Sequence, residues 1–356
     1  MNKKLKVLIL HNYIMHYRVP VLNILAQKCD LTFAYCLGEA QEGCDFNLLR
    51  LPTISFCNRL YIQKDDIRKL ASNYDVVVTY GSITWPKFAT LPWFNSQKTV
   101  IWSLGVSAGY NKPYDQDKRL DWLRKFIFER ADAVVFYSDC PVEKYARLGI
   151  DKEKMFVAPN TVEVCPSSTA SEEQKDSILF IGTLYRQKGI NVLLAAYGQL
   201  RHLDCLPKLK IVGKGPDYDY IKSWIEENEM QHLIELCGAV YDPLIKSKYF
   251  AEALACISPL QAGLAVLESM GYGVPFVTTK SAITGGELFN IEDGVTGVLM
   301  SSVDSLVSVV QDIAENRKKF IDMGIKARTY YLEHRTPECM ADGLWKAICY
   351  AHQKEK

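Results

Sequence analysis

The sequence predicts an α/β protein of two doubly wound domains, each a parallel sheet covered by helices on both faces. Three observations carry that prediction. Short apolar runs alternate with helix-length segments along the chain, the pattern that builds parallel sheets through crossover helices. The runs are nearly continuous in hydrophobicity and rich in β-branched residues, as strands buried on both faces should be. A polar break at 161–177, TVEVCPSSTASEEQKDS, separates six runs from six more.

In order, the strands expected in the first half are KVLIL, LTFAYC, DVVVTY, TVIWSL, AVVFYS and MFVAPN. The second half offers SILFIG, LKIVGKG, IELCGAV, LACISPL, PFVTT and GVLM. Helices are expected at 19–28, 62–72 and 118–130, then at 188–201, 216–229, 242–254, 264–271 and 303–316. A last helix over 337–353 has apolar positions at 340, 344, 345, 348 and 349. The expected domains are therefore 1–165 and 166–335, with 336–356 crossing back to the first.

Composition narrows the function classes. The 356 residues are 48% hydrophobic and 23% charged with net charge +1, as in an ordinary soluble protein with no basic surplus for nucleic acid. The opening MNKKLKVLILHNYIMHYR is expected not to be a signal peptide, because Lys6 and His11 cut its apolar run short. No stretch approaches the ~20 apolar residues of a spanning helix. Eleven scattered cysteines, an odd number with no C-x-x-C pair and with Cys36, Cys237 and Cys256 inside apolar runs, fit reduced thiols in a cytoplasm. The six histidines lack metal-binding spacing, so no metal is expected.

Ligands of doubly wound folds bind at the carboxyl ends of strands, where loops meet helix N-termini. Three loops of the second half carry glycine there: FIGTLYRQKGI (180–190), IVGKGPDY (211–218) and QAGLAVLE (261–268). Together they predict an edge of free N–H donors, with Arg186, Lys188 and Lys214 adding positive charge, suited to a phosphate-bearing ligand. Glu268 shares a helical face with Leu264, Leu267 and Gly271, and an inward carboxylate requires a partner. Tyr218 stands where G-x-G-x-x-G needs its third glycine. No G-x-x-x-x-G-K-[ST] or G-x-S-x-G appears either, which disfavours dehydrogenase, P-loop and hydrolase readings.

The segments FIGTLYRQKGINVLLAAYGQL, LKIVGKGPDYDYIKSWI, IELCGAV, GLAVLESMGYGVPFVTT and GGELFNIEDGVTGVLM resemble, in order and spacing, the C-terminal domain of glycosyltransferase family 4. HYRVPVLNIL resembles the Tyr-Arg-x-Pro loop of many members. The resemblance implies the GT-B architecture, two Rossmann-like domains facing across a cleft, and a retaining, metal-independent transfer from a nucleoside diphosphate sugar, UDP-sugar among the candidates. It implies that Lys188, with Arg186, contacts the donor diphosphate. Gly182, Thr183, Gly213, Lys214 and Gly215 would shape the loops beside the nucleotide, and Ala239 and Val240 would line the base. Ala262, Gly263 and Leu264 would offer amides to phosphate, and Glu268 would bond the ribose hydroxyls. His11, Tyr17, Arg18 and Gly105 would stand on the acceptor side. This chain departs from the family at Thr183, where Arg is frequent, at Leu260, where an acid touches the donor sugar, and at Leu104, where some members carry His.

The expected acceptor is a saccharide or lipid-linked saccharide in surface polysaccharide assembly, with no nucleic acid and no cofactor. Arg18 would meet an acceptor phosphate or a local acid. Segment 118–130 reads as an amphipathic helix with a solvated basic face; its sharper alternative is docking to anionic lipid at the inner face of the membrane. A nucleotide-sugar epimerase of the same fold and a catalytically inactive nucleotide-sugar-binding protein are the competing functions.

Overall fold

The computed structural model describes residues 4–57, 59–94, 96–109, 113–165 and 172–354, and the chain divides into two compact units. One comprises Met1–Ser107, Asp115–Val162 and Arg335–Lys356; the other comprises Ala108–Tyr114 and Glu163–His334.

The first unit holds strands β1 (Lys6–Tyr13), β2 (Asp30–Leu37), β3 (Asn47–Arg50), β4 (Val76–Tyr80), β5 (Lys98–Trp102), β6 (Ala133–Phe136) and β7 (Met155–Val157), in the spatial order β3-β2-β1-β4-β5-β6-β7. All strand pairs of this sheet are parallel, and Val7 faces both Leu31 and Val76 in register. Val7, Leu8, Ile9 and Leu10 are wholly buried, which is why the run shows no polar alternation. The polar-edged β3 and the antiparallel hairpin Thr53–Phe56/Leu60–Gln63 are additions to the predicted strands. The helix expected at 62–72 shrinks to Ile67–Ala71, because the hairpin takes residues up to Gln63 and Asp66 caps the amides of Arg68 and Lys69.

The helix Pro337–Gln353 belongs to this first unit. Thr336 caps it, and Met340, Leu344, Ala347 and Ile348 join the core that also holds Leu22 and Leu25. Gly343 lets it lie directly on β7, since a Cβ there would stand 2.2 Å from the Val157 carbonyl oxygen. Lys154 caps the helix Asp121–Arg130 by donating to the carbonyls of Phe128, Glu129 and Ala131 at 3.0, 2.7 and 3.1 Å.

The second unit holds β8 (Ser177–Ile181), β9 (Lys208–Val212), β10 (Ile234–Gly238), β11 (Ala253–Ile257), β12 (Phe276–Thr279) and β13 (Gly297–Met300), ordered β10-β9-β8-β11-β12-β13. The order reverses between β8 and β11, so their carboxyl ends bound the crevice where doubly wound sheets bind ligands. Arg317–His334, the longest helix among the described residues, has a low-contrast pattern that hides it in sequence. It approaches its neighbour closely at Gly324, where a Cβ would stand 2.2 Å from the Gly273 carbonyl oxygen.

Candidate active site

The loops after β8 and β9 are knit backbone to backbone. Gly182 N–H donates to the Val212 carbonyl at 2.9 Å, Leu184 N–H to Lys214 at 3.0 Å, and Gly213 N–H to Gly238 at 2.7 Å. A Cβ on Gly213 would stand 1.9 Å from the Gly182 oxygen, and one on Gly215 2.2 Å from the Leu184 oxygen. These glycines are therefore required by close backbone approach. Part of the expected edge of free amides is used up: the Gly182, Leu184 and Gly213 amides are spent on the neighbouring loop.

What the knitting leaves is a seat for Lys188. It closes the short turn Arg186–Lys188, which Gly189 ends in the left-handed region at φ 76°. Its ammonium lies against Gly182, where an added Cβ would be 2.2 Å from Nζ, and 5.8 Å from the ring centroids of both Phe180 and Tyr185. Burial lowers the Lys188 pKa, and no carboxylate acts to raise it. A desolvated cation without an anionic partner is an anion site in waiting. Arg186, Thr183 and Lys214 are exposed around it. Leu260 packs its side chain on Gly189, 2.8 Å from the ideal Cβ position, and its N–H donates to the Lys188 carbonyl at 3.3 Å.

Across the crevice, Gln261 and Ala262 pair in parallel with Ile283 and Thr284, and the Tyr185 hydroxyl donates to Gln261 Oε1. Half-buried Gly263 and Leu264 lead into the helix Ala265–Gly271, which begins without a side-chain cap. The partner that the inward Glu268 requires is Lys246, whose Nζ donates to Oε1 at 2.8 Å. Ala239 and Val240, half-buried, follow the left-handed Gly238 and precede Asp242, which caps the Lys246 helix Pro243–Ala251. Beneath the crevice, burial first and Glu268 second push the Cys256 thiol up to about 12, while Lys188 pulls the other way. The one sulfur senses both groups, so they flank the same strand end.

In the first unit His11, Tyr17 and Arg18 gather with Tyr80, Trp102 and Tyr137 at the corresponding switch between β1 and β4. The His11 ring lies 4.5 Å from Tyr80 and 5.5 Å from Trp102, and its pKa is lowered to about 3 by burial and then by Arg18. His11 is therefore a neutral imidazole near pH 7. Among the described residues Arg18 pairs with no acid. Its guanidinium stacks over Tyr17, Trp102 and Tyr137 at 5.1–5.5 Å, donates to Asn160 Oδ1 at 2.8 Å and points at Met340 Sδ at 2.7 Å. It clamps the first loop to the C-terminal helix. Gly105, at φ 72°, is likewise demanded by packing, since a Cβ would stand 2.7 Å from both Phe136 and Pro141.

Residues 175–316 match the family model for glycosyl transferases group 1. The chain is 24% identical over 262 residues to the Bacillus subtilis poly(glycerol-phosphate) alpha-glucosyltransferase, a match covering 69% of this chain and 38% of that protein. The crystal structure of Anabaena Alr3699/HepE in complex with UDP superposes with a TM-score of 0.72 at 14% identity, over 97% of this chain and 99% of that one. A glycosyltransferase from Rickettsia africae gives 0.74 at 15% identity over the whole of both chains.

Over residues 175–316 the chain is similar to the group 1 glycosyltransferases. Its two Rossmann-like units have the GT-B fold of those solved structures, and the group 1 match covers the β8–β13 sheet with Lys188 and Glu268. The chain spans about two fifths of the length of the first two curated relatives it matches, 38% and 40%. Among the residues around these sites, sequence reasoning missed Lys246, Asn160 and Met340. Lys246 and Glu268 sit on different helices, so no spacing rule connects them.

Proposed function

We propose that this chain is a retaining glycosyltransferase that moves a sugar from a nucleoside diphosphate sugar, UDP-linked in the first instance, to a saccharide or lipid-linked saccharide acceptor. The observation that carries it is the half-buried Lys188 ammonium, with no carboxylate partner among the described residues, beside Gly182 at the carboxyl end of β8. As the anomeric bond breaks, charge grows on the leaving diphosphate, and a fixed, desolvated cation stabilises that charge more than the ground state. Arg186 adds a mobile cation at the rim, so no metal is required. The acceptor hydroxyl attacks the anomeric carbon on the face the diphosphate leaves from, and a leaving phosphate oxygen takes its proton. UDP-bound relatives of the same fold support the donor class.

The test is a thermal-shift screen with UDP, GDP, ADP and their sugars, followed by a saccharide acceptor panel in excess EDTA. A binding nucleotide at a hundred times its Kd should stabilise by about 2.7 kcal/mol, shifting the transition by about 5–10 °C. No shift with any nucleotide would remove the donor site. Donor turned over to an isomer without acceptor would mark an epimerase, and binding without turnover an inactive binding protein.

The acceptor side is read as lying against an anionic membrane at the cytoplasmic face. No described helix is long and apolar enough to cross a membrane. The helix Asp121–Arg130 instead exposes Trp122 (68%) and Phe126 (47%), and Phe126 stacks 4.2 Å from Trp93 beside exposed Phe94. Arg68 lies 4.5 Å over Phe94 and Arg130 5.9 Å over Trp93. Exposed aromatics among arginines match an interface of apolar tails and anionic headgroups. In flotation, wild type should rise with anionic but not zwitterionic vesicles. Trp122→Ser and Arg130→Glu should each weaken that binding by about fivefold to tenfold. Equal recovery with both vesicle types would end the membrane reading.

A further inference from the structure

Lys246 lies outside every glycine loop of the site, yet its ammonium holds Glu268 Oε1 at 2.8 Å with both side chains mostly covered, 25% and 14% exposed. A pair that deep gives up much of its hydration, and an apolar pair would serve helix packing at least as well. Its place is informative. The helix carrying Lys246 starts at Pro243, directly after the loop of Ala239 and Val240, and Lys246 N–H bonds back to the Asp242 carbonyl at 3.0 Å. Its side chain thus joins the loop after β10 to the carboxylate after β11. The carboxylate has two oxygens, and Lys246 takes one of them.

We propose that Lys246 is a positioning residue for the nucleotide. By fixing Glu268 through Oε1 it presents Oε2 to a vicinal diol, and its charge cancels that of a carboxylate which would otherwise repel an incoming diphosphate. This role rests on the nucleotide reading above and adds to it a residue that sets selectivity for a ribose over a sugar lacking its hydroxyls. The ammonium needs no proton transfer to do this; it acts as a tether and a counter-charge.

The experiment is calorimetric titration of wild type, Lys246→Met, Lys246→Arg, Glu268→Gln and the Lys246→Met/Glu268→Gln double variant. Each is titrated with whichever of UDP, GDP and ADP binds wild type, and with the 2′,3′-dideoxy form of that nucleotide. Lys246→Met should weaken the ribonucleotide about tenfold, the worth of a charged hydrogen bond, and leave the dideoxy form within about twofold. Lys246→Arg should restore most of the loss, and in the Glu268→Gln background Lys246→Met should cost little more. A merely structural lysine would weaken both nucleotides alike, and its cost would add fully to that of Glu268→Gln; either result overturns the role. So does unchanged binding by Lys246→Met. If no nucleotide binds wild type, the nucleotide reading itself fails and takes this role with it. If wild type binds and only the diol selectivity is insensitive to Lys246, the nucleotide reading stands and the role alone falls.

Discussion

Replacing Lys188 by alanine should lower kcat for sugar transfer by about a hundredfold to a thousandfold, with a much smaller rise in the donor KM. The asymmetry comes from where the ammonium sits. Partial burial has cost it part of its hydration, Gly182 leaves it no side chain to lean on, and no carboxylate among the described residues offsets it, so its charge is most valuable when the diphosphate becomes a leaving group. Near-normal turnover by Lys188→Ala with a donor that wild type uses would remove the phosphate role. A second signature follows from the lowered pKa. Only the ammonium form acts, so wild-type activity should fall on the alkaline side at lower pH than an exposed lysine would set. Lys188→Arg, whose guanidinium does not titrate there, should lose that limb while keeping part of the rate.

Replacing Gly343 by alanine should destabilise the first unit by about 2–3 kcal/mol, seen as a fall of about 5–10 °C in its thermal transition. The new methyl would meet the Val157 carbonyl oxygen at 2.2 Å and the Ala158 Cα at 2.7 Å. Both are backbone atoms of the β7 segment and cannot rotate away, so the helix Pro337–Gln353 must lift. Lifting it uncovers Met340, Leu344 and Ile348, which are wholly buried, and pulls Met340 away from Arg18. An unchanged transition would show that the helix accommodates a Cβ by sliding, and that its seat on the sheet is looser than this contact implies. Exposed helical glycine to alanine changes run the other way, since alanine is the better helix former by about 1 kcal/mol. The sign of the effect therefore separates packing from propensity.

Much of the molecule was legible because strands buried on both faces have nowhere to hide their composition. All twelve predicted runs are strands of the two parallel sheets. What escaped was pattern-poor for physical reasons. The edge strand Asn47–Arg50 is exposed at both ends and carries no continuous apolar run. The helix Arg317–His334 buries Phe320, Ile321, Met323 and Tyr331 with Gly324 and Ala327 between charged residues, so its apolar face is interrupted along the sequence. Glycines 213 and 215 were visible as loop residues, but their reason was not. They make room for the backbone of the loop after β8, a contact between segments some thirty residues apart.

The sequence by itself determined the α/β class and the chain of strand-end loops, because periodicity and glycine spacing are local properties. Only the tertiary structure decided which charges are paired. It showed Arg18 clamped to Asn160 and Met340. It showed Lys188 half-buried with no carboxylate partner among the described residues, and it joined Glu268 to Lys246 from a separate helix. Pairing depends on distance and on the water excluded between groups, and neither is set until the chain has folded them together.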